Sequence, residues 1–245
     1  MKGLIGSLAG LFLLTGCVAT RSGGPSSQPL DCALTGGLTA PVGTQWVDAA
    51  YAAIEDWPKP GAIGLWDLES LGSPTARHIR SVATLADAPH AAIFPATAYV
   101  VRTDVEGVAV ATLFRFYEER EDGLYWLGDS DETLAVTVSP PQKFLPRTLR
   151  VGQRWEQRYR DSRFEVEVTS EHEVIGCGEV RVPAGRFANA LLLRSSYRYA
   201  DSPASSIVHS WHAPEVGLVA AATVSSVAES TATVSALLEY RPAGR

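Results

Sequence analysis

Four groups of residues could do chemistry, and each is tested by what its neighbours allow. Gly128-Asp129-Ser130 presents a serine beside carboxylates. A serine nucleophile needs a sharp strand–turn–helix setting and a base within reach, and the pattern around Ser130 is that of a β-turn. Asp129, Asp131 and Glu132 could gather on a hard cation, which wants several oxygen ligands. They lack the glycine and later glutamate of a calcium loop, so a solvated acidic turn is expected. His209-Ser210-Trp211-His212 has the look of a metal pair. In a strand, residues three apart point to opposite faces, so the imidazoles should diverge and Trp211 should pack in the core. His172 falls on the apolar side of its segment with Val166, Val168 and Val174. Two readings stand for it: a core histidine satisfied by hydrogen bonds, or a polar anchor inside a ligand cavity. No nucleophile–base pair and no ligand cluster passes these spacing tests, so the expectation is a non-enzyme with no metal and no cofactor.

The elements that must hold these residues are mostly strands. Val151–Val174 reads as a hairpin in which Trp155, Tyr159, Phe164, Val166 and Val168 alternate with charged residues. A turn at 160–163 would pair Tyr159 with Phe164 and Trp155 with Val168, giving one apolar and one wet face. Asp122-Gly123 marks another hairpin, and Leu134–Val138 a strand ended by Pro140-Pro141. Phe114 and Phe116 lie in a further strand, with Ile207–Trp211, Leu218-Val219 and Thr231–Tyr240 after it. Earlier, Val47, Ala50, Tyr51 and Ile54 fall at helical spacing, as do Ile79, Val82 and Leu85, so one or two short N-terminal helices or edge strands are expected. The fold class is therefore mainly β: an antiparallel β-roll or unclosed β-barrel of eight or more strands. His172, Trp155, Tyr159, Phe164, Phe114 and Phe116 either line its cavity or fill its core.

The N-terminus carries an address. Met1-Lys2 precedes the apolar run Leu4–Leu14, too short to cross a membrane that needs about 20 residues. The ending Leu14-Thr15-Gly16-Cys17 resembles the lipobox of bacterial lipoproteins. That resemblance implies removal of residues 1–16, acylation of Cys17 with palmitate-type chains and attachment to a membrane. Val18, in place of Asp, implies sorting to the outer membrane, facing the periplasm. Residues 17–40, with Arg21-Ser22-Gly23-Gly24-Pro25, read as a flexible linker, and 41–245 as a single domain. In an oxidising envelope Cys32 and Cys177 form an even pair, either bonded or left as two thiols.

Val151-Gly152-Gln153-Arg154-Trp155, Val182–Phe187 and Trp211–Val219 together resemble an uncharacterised family of periplasmic spiral β-roll proteins. These are similar in shape to the unclosed barrels of lipoprotein carriers. His212 departs from the family's usual aromatic, and the resemblance implies a fold but no catalytic residues. A net charge of −6 without a basic stripe excludes nucleic acid as a partner. The function expected is binding of a hydrophobic small molecule, or alternatively docking of an envelope protein on a sheet face or edge.

Overall fold

The computed structural model describes residues 33–35, 38–55, 65–69, 71–106, 112–163, 165–226 and 231–244. Cys17, Cys32 and Phe164, each singled out above, lie outside the described residues. Fifteen strands run in chain order: β1 Ala33–Thr35, β2 Gln45–Ile54, β3 Leu65–Asp67, β4 Ala76–Ala83, β5 Tyr99–Val105, β6 Thr112–Arg120, β7 Gly123–Ser130 and β8 Ala135–Pro146. They continue as β9 Thr148–Arg150, β10 Arg154–Asp161, β11 Val166–Val182, β12 Gly185–Tyr199, β13 Ser205–Ala213, β14 Gly217–Ser225 and β15 Ala232–Arg241. Twelve of them pair in the order β10-β8-β7-β6-β5-β4-β2-β15-β14-β13-β12-β11, and β11 returns to β10. The ladder is antiparallel throughout and closes into a barrel.

Closure depends on a short seam. Strands β8 and β10 share only Arg160↔Ser139 and Asp161↔Val138. Pro140 and Pro141 follow at once, and neither has an N–H to donate to the neighbouring strand. Side chains take over from there. The Lys143 amide donates to Gln157 Oε1, while the Lys143 carbonyl accepts from Gln157 Nε2 at 2.8 Å and Trp155 Nε1 at 3.2 Å. The expected unclosed barrel is thus a closed one, joined along much of one seam by side chains.

Where helices were open as a reading, the chain forms strands. Gln45–Ile54 and Ala76–Ala83 are β2 and β4, paired with each other from Gln45↔Ser81 to Ala50↔Ala76. Only two short 3-10 turns, Leu85–Asp87 and Ala91–Ile93, are helical among the described residues. The β10–β11 hairpin also differs in register. Tyr159 faces Val168 and Trp155 faces His172, because the chain between Asp161 and Val166 makes a wider turn with Glu165 at φ 53. The slip is by an even number of residues, so the apolar face is the one expected even though every partner differs. In the β6–β7 hairpin Arg120 faces Gly123. Gly123 is needed there because a Cβ would sit 2.3 Å from the Leu145 carbonyl oxygen.

Each strand sends alternate residues into the lumen and outward, and both sides carry a core. Outside, Leu192, Trp211, Ala220, Ala236 and Ala49 lie side by side across five strands, all buried. The row is covered by Trp66 and Leu68, which β3 brings up by pairing in parallel with Glu179–Arg181 of β11. A second outer cluster forms where the segment between β4 and β5 crosses β6: Phe94 stacks on Phe116 with centroids 3.7 Å apart, and Phe114 packs beside them. Inside, Tyr117, Leu124, Leu145 and Leu149 meet Val174, Cys177, Leu191 and Leu193 from the opposite wall. Cys177 is disulfide-bonded. Leu34 of β1 and Leu38 pack on this same cluster, held by pairing of β1 with β9.

Candidate functional site

The candidate site is the lumen itself, built from the residues that alternate against the outer cores. Along β6, Phe114 and Phe116 point out, so Arg115 and Tyr117 point in. Of the two places open to these phenylalanines, cavity lining or core, they take the core, in the outer cluster with Phe94. Arg115 stands beside Val101 on β5 and Asp129 on β7. Its side chain is 51% exposed, and that exposure is to the lumen it lines.

The lumen has three lobes that share walls. The outer lobe, about 340 Å³, is lined by Arg115, Tyr117, Trp126, Asp129, Tyr159 and Tyr197 among others, with Asp161 and Arg163. A neck of about 160 Å³ shares Arg115, Tyr117 and Phe144 with it and adds Val101 and Thr103. The far lobe, about 310 Å³, shares Trp46, Tyr99, Leu145 and His212 with the neck and is closed off by Leu34 and Leu38. Cavities of roughly 300–1,000 Å³ suit small organic ligands. A larger depression of about 560 Å³ lies on the charged outer face between Arg154, Glu173 and Arg194, reaching Trp155 and His172. Its lining is mostly charged and its Arg154–Glu173 pair, at 2.5 Å, is solvated, so we place the site in the lumen.

Electrostatics divide the lumen. Arg115 Nε lies 3.5 Å from Asp129 Oδ1, an ion pair too long to be a hydrogen bond. Asp129 accepts from Trp126 Nε1 at 3.0 Å, and burial holds its carboxyl above the usual range although Arg115 pulls it down. Tyr117, Tyr159 and Tyr197 are all pushed up by burial and stay protonated. Nearer the far lobe, Arg80 is fully engaged: Nε and Nη2 grip Asp48 at 2.5 and 3.0 Å, and Nη2 also donates to the Leu218 carbonyl.

His172 is buried on the lumenal wall with both ring nitrogens occupied, Nδ1 by Ser195 Oγ at 2.8 Å and Nε2 by Ser170 Oγ at 3.1 Å. Trp155 stacks on it at 4.9 Å, and Gln142 donates to Ser170. That arrangement is the satisfied core histidine. His212 faces inward and holds Ser210 at 3.0 Å, whereas His209 lies on the outer side next to Arg194 in register. Asp131 is bonded to the Thr133 and Leu134 amides in its own turn, and Ser130 donates to the Pro89 carbonyl on the outer side. Among the described residues no three His, Cys, Asp or Glu gather as a metal would require.

Burial pushes His172, His209 and His212 down to about 4, with Arg194 adding to the effect on His209 and Arg80 on His212. An unfolded chain protonates its histidines near 6.5. Below that pH the unfolded state takes up protons that the folded state refuses, so stability is full above pH 6.5 and falls as pH drops towards 4. Asp129, whose pKa is raised, opposes this trend at the acid end. Urea unfolding across pH 7.5 to 4 should show the decline, with a shallower slope in His212→Gln; a flat profile would contradict the burial of these rings.

The sequence pointed to Tyr159, offered Asp129 only as part of an acidic turn, and did not point to Arg115 or Tyr117. The signal existed, since Arg115 interrupts the apolar run Leu113–Tyr117, but the two phenylalanines drew the inward assignment. No family model and no curated protein matches the chain. Two solved structures are similar to it. One, from Bacteroides fragilis, is described as an exported protein with a YmcC-like fold; it is 12% identical, with a TM-score of 0.45 over 86% of this chain and 99% of that one. The other, from Parabacteroides distasonis, is described as a lipoprotein; it is 12% identical, with a TM-score of 0.38 over 83% and 97%.

Proposed function

We propose that this chain is a lipid-anchored protein of the bacterial envelope, without enzymatic activity, whose barrel holds a hydrophobic small molecule. The observation that carries the reading is the lumen: three lobes that share walls, lined by aromatic and aliphatic side chains, with Arg115, Asp129, Asp161 and Arg163 gathered at the outer lobe. A barrel meant only as a scaffold fills its interior with side chains. The docking alternative gains less support. The large exposed apolar residues described are five, Val42, Ile93, Leu134, Val151 and Tyr199, on five separate segments of the chain.

Acylation of Cys17 orients the lumen. Ala33 lies sixteen positions beyond Cys17, so a fully extended tether reaches about 55 Å. The far lobe, lined by Ala33, Leu34, Leu38, Thr39 and Ala40, is then the end at which the tether joins the barrel. In the same reading Cys32, next to β1, is the partner of Cys177.

The test is a titration of the full chain in lipid nanodiscs with N-phenyl-1-naphthylamine, an apolar fluorophore, against empty nanodiscs. Saturable enhancement at one site is expected, and Thr103→Trp, which puts an indole into the neck, should abolish it. Enhancement no greater than that of empty nanodiscs would overturn the reading.

A further inference from the structure

We propose that the lumen takes a single-chain amphiphile with an anionic head, the head on Arg115 and the chain running through the neck into the far lobe. This rests on the ligand-binding reading above and specifies it. The outer lobe presents Arg115, which bonds the Tyr117 side chain and keeps further N–H donors, and the hydroxyls of Tyr159 and Tyr197, the latter bonded to Ser195. Its deep acceptor is Asp129, already used by Trp126 Nε1 and too far from Arg115 for a hydrogen bond. Asp161 and Arg163 at the same lobe carry opposite charges and add no net charge. A planar guanidinium whose fork is not taken by its carboxylate neighbour is suited to bidentate recognition of a carboxylate or phosphate.

The rest of the lumen sets the ligand's direction. Arg80, which lines the neck, is committed to Asp48 through two bonds and leaves no equivalent fork. The far lobe offers Leu34, Leu38, Leu145 and Leu149, with His212 neutral and bound to Ser210. Glu215 stands at that end and repels an anion. A charged head is therefore favoured at Arg115 and disfavoured at the far lobe, whereas an alkyl chain is favoured in the far lobe. Carboxylate and phosphate heads share this chemistry.

Photolabelling separates these cases. The full chain in phosphatidylcholine nanodiscs is exposed to three sixteen-carbon probes carrying a mid-chain diazirine: the acid, the phosphate monoester and the alcohol. Labelling of lumenal peptides by the acid, the phosphate or both, at about ten times the level of the alcohol, is expected from charge-assisted bonds. Arg115→Gln should bring the anions down to the alcohol's level, and Arg115→Lys should retain part of the difference. Labelling by only one anion identifies the head. Equal lumenal labelling by all three probes in the wild type would overturn the anionic head while leaving the ligand-binding reading standing. No lumenal labelling by any probe would overturn both. Should Arg115→Gln fail to fold, the wild-type ratio alone decides.

Discussion

Replacing Cys177 with Ser is expected to lower stability by about 2–5 kcal/mol, the range for removing a native disulfide. The bond we assign, to Cys32, closes a loop of well over a hundred residues, for which the chain-entropy model gives about 5 kcal/mol before strain. Cys177 is buried in the lumenal cluster on which Leu34 and Leu38 also pack. Losing the bond therefore loosens the segment that walls the far lobe as well as the fold. Cys32→Ser should match Cys177→Ser, and the double variant should lose no more than either single one. Urea unfolding without reductant measures all three. A Cys32→Ser protein as stable as wild type, beside a destabilised Cys177→Ser, would show that Cys177 pairs elsewhere.

Trp211→Ala should cost about 3–5 kcal/mol, as for other fully buried aromatics. Trp211 is completely buried on the outer face, edge-on to Trp66 with centroids 6.2 Å apart. Beside it run Ala220, Ala236 and Ala49, a floor of small residues that cannot collapse into the space an indole leaves. Trp211 Nε1 makes no hydrogen bond among the described residues, so Trp211→Phe loses packing but no polar contact and should cost clearly less. At 2–4 °C per kcal/mol for a chain of this size, the alanine variant should melt on the order of 10 °C lower. A drop within 2 °C would mean that β3 does not cover this face.

That alanine floor also explains where the sequence was hard to read. Gln45–Ile54 is rich in alanine, the strongest helix former, and its apolar residues happen to match a helical spacing. Its Ala49 instead makes room for Trp66 and Trp211, a requirement set by residues far away in the chain. By contrast Trp155, Tyr159, Val168 and Val174 alternate so regularly that the β10–β11 face was legible even though its register was not. Register depended on the turn between Asp161 and Val166, where Glu165 adopts a conformation its residue type does not announce. The lumen was the least legible part. Both faces of β6 carry aromatics, because a segment between β4 and β5 covers the outside, and alternation alone does not tell an inner face from a covered outer one. Arg115 was the cue, since an arginine on a doubly covered strand must face water, a partner or a ligand.

The most direct test of a ligand-holding lumen is native mass spectrometry of the full chain released from its own membrane, wild type beside Thr103→Trp. One persistent adduct of amphiphile mass is expected on the wild type, additional to any acyl groups on Cys17, and none on the blocked variant. The same adduct on both proteins, or none on the wild type even after incubation with a sixteen-carbon acid, would contradict a ligand-holding lumen.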